Sequence, residues 1–152
     1  MDVLLLSQWI TTGFMTGLIW FIQIVHYPIY SFVGHNDLSD YQAFHVRRTT
    51  MVVFPFMVTE LLGGGLLLLR EWHGDRGWVA LSGLGLLGVI WLSTLIFQIP
   101  RHSQIGGTKN PTAETIAIEK SAIRHLVQSN WIRTCAWTAR LALLAIWFPP
   151  GN

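Results

Sequence analysis

The chain has 152 residues, of which 51% are hydrophobic and 12% charged. Soluble domains carry about a quarter charged residues, so this composition, with a mean hydropathy of +0.44, excludes a soluble enzyme and a disordered chain. Apolar surface this abundant needs lipid to cover it. The net charge of +2 is dispersed rather than clustered, which excludes a nucleic-acid footprint, and a single cysteine, Cys135, excludes an internal disulfide or a cysteine-based zinc cluster.

The apolar runs, taken in order, predict four membrane-spanning helices, each needing about 20 residues. The first covers about residues 3–33. It lacks a basic leader and a small-residue cleavage site, so it reads as a retained helix rather than a signal peptide. The second, about residues 49–69, carries Pro55, which in a membrane helix is expected to kink without ending it. The third, about residues 78–98, closes at Pro100, and the fourth, about residues 126–148, at Pro149-Pro150. Two helices are expected to start before the bilayer. Ser39 with Gln42 is a capping-box pattern that begins helix two near Asp40, and Asn110-Pro111 reads as an N-cap with proline at the first position of helix four. No internal repeat or second domain is visible. The expected fold is all-α: an integral membrane four-helix bundle forming one domain.

Basic residues orient it. Arg47, Arg48, Arg101, Lys109, Lys120 and Arg124 flank loops one and three, against Arg70 and Arg76 at loop two. The positive-inside rule then makes loops one and three cytoplasmic and both termini external, in a multi-pass membrane protein. Trp9, Trp72, Trp78 and Trp147 are expected in the outer aromatic belt, and Tyr27, Tyr30 and Tyr41 in the inner one. Gly13-x-x-x-Gly17, Gly63-Gly64-Gly65, and Gly83, Gly85 and Gly88 all fall in the outer half, where small residues allow close helix approach. The run Gly83 to Gly88 spells G-x-G-x-x-G, but within an apolar span it is a packing feature rather than a dinucleotide site. The bulkier, more polar inner half is where a cavity is expected.

At about 100° per residue, every helix has a polar stripe. Helix one aligns Thr12, Thr16, Gln23, His26, Tyr27 and Tyr30; helix two aligns Tyr41, His45, Arg48, Thr49 and Glu60. Helix three aligns Trp91, Thr94, Gln98, Arg101 and His102; helix four aligns Ser129, Asn130, Arg133, Trp137 and Arg140. One stripe alone often serves only to bond a neighbouring helix. Four stripes whose polar members concentrate in the inner half point to a shared lined cavity, since ionisable residues inside membranes default to function.

Glu60, Arg133 and Arg140 each cost roughly 2.5–3.5 kcal/mol within a span, so pairing is expected. Glu60 lies roughly 16 Å into its helix, and Arg133 and Arg140 roughly 10 and 21 Å into theirs, at about 1.5 Å per residue. A glutamate bracketed by two guanidiniums is either a salt bridge between helices two and four or a pair that leaves one arginine for an anionic or carbonyl-bearing ligand. His26, His45, His102 and His125 map to similar depth on four helices, whereas His35 and His73 read as solvent-facing. Imidazole binds iron, copper and zinc and is an axial haem ligand. These four, with Glu60, are therefore the candidate ligands of a metal ion or haem, with a cofactor-free protein as the alternative. No His-x-x-x-His or Glu-x-x-His pair supports them. A Ser/His/Asp triad is not indicated, because no serine has the elbow context.

Several of these segments carry a family resemblance. Gln23-Ile24-Val25-His26-Tyr27-Pro28, Pro55, Glu60, Pro100-Arg101-His102 and Asn130-Trp131-Ile132-Arg133-Thr134, with Trp137 and Arg140, resemble small four-span bacterial membrane proteins. More distantly, the layout is similar to the anthrone-oxygenase-like proteins. That resemblance implies oxygenation of an aromatic, membrane-partitioned substrate, and it carries over His26, Asn130 and Arg133 but not His45 or His125.

The functional expectation is an integral membrane oxidoreductase acting on a hydrophobic small molecule. His26, Glu60, Asn130, Arg133 and Arg140 are its expected catalytic residues. Tyr27, Gln98, Trp131 and Trp137 are expected to line the cofactor or substrate space, with Trp91 in the apolar wall. The competing expectations are a non-catalytic small subunit of a homo-oligomer or a larger pigment-, quinone- or haem-bearing membrane complex, and a small transporter or channel protomer.

Overall fold

Asp2 starts the first helix. Its carboxylate accepts from the backbone N–H of Leu5 at 2.9 Å and pairs with Arg70 at 2.6 Å. The Leu5 N–H, aided by the Arg70 guanidinium, holds the Asp2 carboxyl below its ordinary value. The computed structural model describes residues 2–105 and 112–149. These form four helices and no strand: α1 (Val3–Phe32), α2 (Leu38–Glu71), α3 (Gly77–His102) and α4 (Ala113–Trp147).

Helix α2 continues through Pro55, and α3 persists past Pro100 to His102. The Ser39/Gln42 capping box does not form. Asp37 precedes the first turn of α2 without a side-chain cap, and Gln42 is buried, accepting from the Tyr30 hydroxyl and donating to the His102 carbonyl at 3.0 Å. Its amide is drawn inward because Tyr30 and His102, at the ends of α1 and α3, offer it partners. The Asn110-Pro111 cap lies outside the described residues; α4 begins at Ala113, where the Thr112 hydroxyl accepts from the Thr115 N–H.

Three of the helices, α1, α2 and α3, are long and apolar enough to cross a membrane. The expected fourth span does not meet that measure by composition. Asn130, Arg133, Thr134 and Arg140 lower the average of α4, yet all four are buried. The face they leave outside, Trp131, Ile132, Cys135, Thr138, Ala139, Ala142, Ile146 and Trp147, carries no charge.

Consecutive helices are neighbours and α4 closes the ring on α1. Two of the four contain the same device. In α1 a π turn at Ile22–His26 precedes Pro28, and its end is closed by the Tyr27 N–H on the Ile22 carbonyl; in α3 a π turn at Thr94–Gln98 precedes Pro100, closed by the Ile99 N–H on the Thr94 carbonyl. Proline lacks the N–H that an α turn would use, and a widened turn accommodates it. Both π turns sit in the polar half, where they re-aim His26, Tyr27 and Gln98.

The bundle is inside-out relative to a soluble one. Phe21, Met51, Leu62 and Leu92 are exposed, whereas Gln8, Thr12, Glu60, Gln98, Asn130 and Arg140 are buried, as lipid on the outside requires. A polar layer of Gln8, Thr12, Glu60, Gly83 and Arg140 separates two apolar clusters. One is built on Leu5, Leu67, Val79 and Leu144, the other on Met15, Met57, Leu87 and Trp137.

Candidate functional site

The polar layer joins all four helices through one ion pair. Glu60, fully buried, accepts from the Thr12 hydroxyl at 2.6 Å and from the Trp137 indole N–H at 2.9 Å. Arg140 Nε lies 3.5 Å from Glu60 Oε1, while its other nitrogens donate to the Gly83 carbonyl at 2.8 Å and to Gln8 Oε1. Glu60 and the two terminal nitrogens of Arg140 thus bond protein groups, Arg140 Nε meets the carboxylate only as an ion pair, and the void beside Arg140 is about 10 Å³. The arrangement is that of a cross-brace, with Glu60 and Arg140 both buried between the four helices.

The glycines opposite this pair have a purpose different from the expected one. A Cβ on Gly83 would stand 2.9 Å from Arg140 Nη1, one on Gly64 would meet Leu87 at 3.0 Å and Arg140 Nη2 at 3.6 Å, and one on Gly63 would collide with the Gln8 amide. Gly83 and Gly63 make room for polar side chains, whereas Gly64 lets Leu87 of the neighbouring helix pack closely. A Cβ on Gly13 or Gly17, the G-x-x-x-G pair, would meet nothing within 4 Å among the described residues.

Arg133 does not bracket Glu60. Trp137 lies between them, and the Arg133 guanidinium rests over its ring, 5.3 Å from the centroid. Arg133 Nη1 reaches Asn130 Oδ1 at 3.4 Å, and its Nε is buried without a partner. Asn130 donates to Gln23 Oε1 at 2.8 Å, and Gln23 in turn to the Val127 carbonyl at 3.3 Å. A parallel chain runs from the Tyr27 hydroxyl to Gln98 Oε1 at 3.0 Å and from Gln98 Nε2 to Ser129 at 2.9 Å. Asn130 and Arg133 thus belong to one hydrogen-bonded chain and Tyr27 and Gln98 to another. Tyr27 and Tyr30, expected in the inner aromatic belt, are buried, Tyr30 with its hydroxyl on Gln42.

Three of the four histidines converge. His26 Nε2 and His45 Nδ1 share a hydrogen bond of 2.8 Å, Thr49 Oγ1 stands 3.1 Å from the same His45 nitrogen, and the Tyr41 hydroxyl 3.5 Å from His26 Nε2. The His102 ring lies 5.4 Å from that of His45, but its Nδ1 is 2.8 Å from the Gln42 amide. His125 is exposed on another face, beside Phe97 and Arg101. The four-histidine ligand set is therefore not assembled, and among the described residues no group of three His, Cys, Asp or Glu side chains is placed to hold a metal ion. Two imidazole nitrogens on one zinc ion, each about 2.0–2.1 Å from it, stand wider apart than the 2.8 Å of the His26–His45 pair. Nor is Trp131 part of a lining: it is exposed and edge-on to Trp20 at 5.6 Å. His35, read as solvent-facing, contacts buried Glu119 at 3.6 Å.

The His26–His45 pair opens onto a lateral crevice of about 210 Å³ between α1 and α2. Leu18, Phe21, Ile22, Val52 and Val53 form its walls, with Thr49 and Arg48 at the polar end. It faces the side of the bundle, where lipid would be. Sequence reasoning missed Gln8 and Gln42. Gln8 was legible, since Gln8, Thr12 and Thr16 continue the stripe of α1 at four-residue steps; Gln42 was assigned to a cap that its tertiary partners override.

No family model, curated protein or solved structure matches this chain.

Proposed function

We propose that the protein is an integral membrane oxidoreductase of the cofactor-independent oxygenase kind, taking an aromatic, hydroxyl- or carbonyl-bearing substrate from the bilayer into the crevice between α1 and α2. The observation that carries the reading is the pairing of two imidazoles at 2.8 Å at the base of an apolar, laterally open crevice. Such a pair takes up a substrate proton at one nitrogen and shares it across the hydrogen bond, which is general-base chemistry worth about 10²–10⁴-fold. On an anthrone-type ketone the pair removes one methylene proton, the carbanion gives up electrons to dioxygen, and the balance is ketone plus O₂ to quinone plus water. Arg133, with no carboxylate partner among the described residues, supplies positive potential to the same half of the bundle. Helix α4 crosses the membrane as the fourth span, its charges turned inward, with both termini outside a bacterial cytoplasmic membrane.

The test is anthrone oxidation by the purified protein in mild detergent, followed by oxygen uptake and anthraquinone absorbance. The wild type is expected to turn anthrone over, and His26→Ala and His45→Ala each to lower the rate about 100-fold. Absence of both turnover and saturable anthrone binding overturns the proposal. A second reading, a small subunit of a larger membrane complex, draws on the uncovered Gly13 and Gly17 surface of α1. Loss of a co-purifying membrane partner on Gly17→Leu would favour it.

A further inference from the structure

At the end of the bundle remote from Glu60 and Arg140, a groove of about 670 Å³ runs between the end of α1, the turn into α2 and the first half of α4. None of the chemistry above uses it. Its floor is apolar, with Pro28, Val33, Ile123 and Val127. Lys120 and Arg124 stand at its rim on consecutive turns of α4, both exposed, and neither is hydrogen-bonded or ion-paired within the described residues. The one carboxylate in the lining, Glu119, is buried and faces His35 at 3.6 Å. Two exposed cations thus face a groove in whose lining the one acid has a histidine against it.

The position in the chain adds a second constraint. The apolar run of α4 begins near Leu126 and that of α1 ends near Val33, so Lys120 and Arg124 stand at the level of lipid headgroups while the floor continues into the hydrocarbon. A small free anion would leave that floor wet, and a neutral lipid would leave both cations unmatched. An anionic amphiphile satisfies the two together, as basic pockets between membrane helices do elsewhere.

We infer that this groove seats an anionic phospholipid of the surrounding leaflet, its phosphodiester between Lys120 and Arg124 and one acyl chain along Pro28, Val33, Ile123 and Val127. The inference is independent of the chemistry assigned to His26 and His45.

The experiment is native mass spectrometry of the full chain released from dodecyl maltoside micelles, titrated separately with phosphatidylglycerol, phosphatidylcholine, oleate and inorganic phosphate. One phosphatidylglycerol should be retained at a concentration roughly ten- to thirty-fold below that needed for phosphatidylcholine, given two cations at the surface. The Lys120→Ala, Arg124→Ala variant should lose that preference, whereas Arg101→Ala, on a different face, should keep it. Ile123→Asp should weaken both lipids while leaving the melting temperature of the lipid-free protein within a few degrees, which separates loss of the seat from loss of the fold. Equal retention of the two phospholipids, or a preference untouched by the double variant, overturns the inference. So does competition by inorganic phosphate at equal concentration, which marks a free-anion site, or tighter retention of oleate, which marks a fatty-acid site.

Discussion

Gly83 gives its backbone carbonyl to Arg140 at 2.8 Å, and it is also the residue whose missing side chain leaves room for that guanidinium, since a Cβ there would stand 2.9 Å from the same nitrogen. Acceptor and clearance come from one position. Gly83→Ala must push Arg140 off the carbonyl or off Glu60, and is expected to destabilise by about 1–3 kcal/mol. Gly13→Ala, with open space around its Cβ, should stay within about 0.5 kcal/mol of wild type. Reversible unfolding in mixed micelles of dodecyl maltoside and sodium dodecyl sulfate measures both; equal effects would contradict the cross-brace.

Breaking one side of the Glu60–Arg140 pair leaves the other charge buried. Arg140→Met alone is expected to cost about 3–5 kcal/mol, and Glu60→Leu combined with Arg140→Met to recover part of it, because no uncompensated charge remains. Recovery stays incomplete, since Trp137 and Thr12 lose their acceptor. A single-variant cost below about 1 kcal/mol, on the same unfolding scale, would mean that the pair is not what holds the four helices together.

The two tryptophans expected to line the site have opposite roles. Trp137→Phe removes the N–H that Glu60 accepts and is expected to cost about 1.5–3 kcal/mol, the range for a hydrogen bond to a charged group. Trp131→Ala loses its edge-on contact with Trp20, expected at about 0.5–1.5 kcal/mol beyond the packing area removed, with anthrone turnover unchanged. A loss of turnover in Trp131→Ala that tracks the loss in His26→Ala would return Trp131 to the site.

Sidedness is open to direct measurement. In a Cys135→Ala background, Asp75→Cys should react with a membrane-impermeant maleimide added to intact cells, and Asn36→Cys only after permeabilisation. The reverse pattern would invert the topology while leaving every interhelical contact as described.

Much of this molecule is written in local pattern. Apolar runs longer than a bilayer is thick specify helices α1 to α3, and the four-residue steps of Thr12 and Thr16, or of Arg133, Trp137 and Arg140, state which face turns inward, because a helix repeats every 3.6 residues or so. The scarcity of charge likewise marks Glu60, Arg133 and Arg140, on sequence grounds alone, as residues that need partners.

Which partner each one takes is another matter. Residues at similar depth on different helices share a layer only if the helices pack in the right rotation and order, and that is decided by side-chain volume in three dimensions. Trp137 fills the space between Glu60 and Arg133, so only Arg140 reaches the carboxylate. The π turns before Pro28 and Pro100 rotate the ends of α1 and α3, bringing His26 to His45 and Tyr27 to Gln98, while His125 stays outside on a helix without such a turn. Composition and periodicity by themselves determine that this is a helical membrane protein with a polar interior; the tertiary structure alone decides that the deep charges form a brace and the paired histidines a crevice, because pairing depends on distances between helices that no spacing along one helix contains.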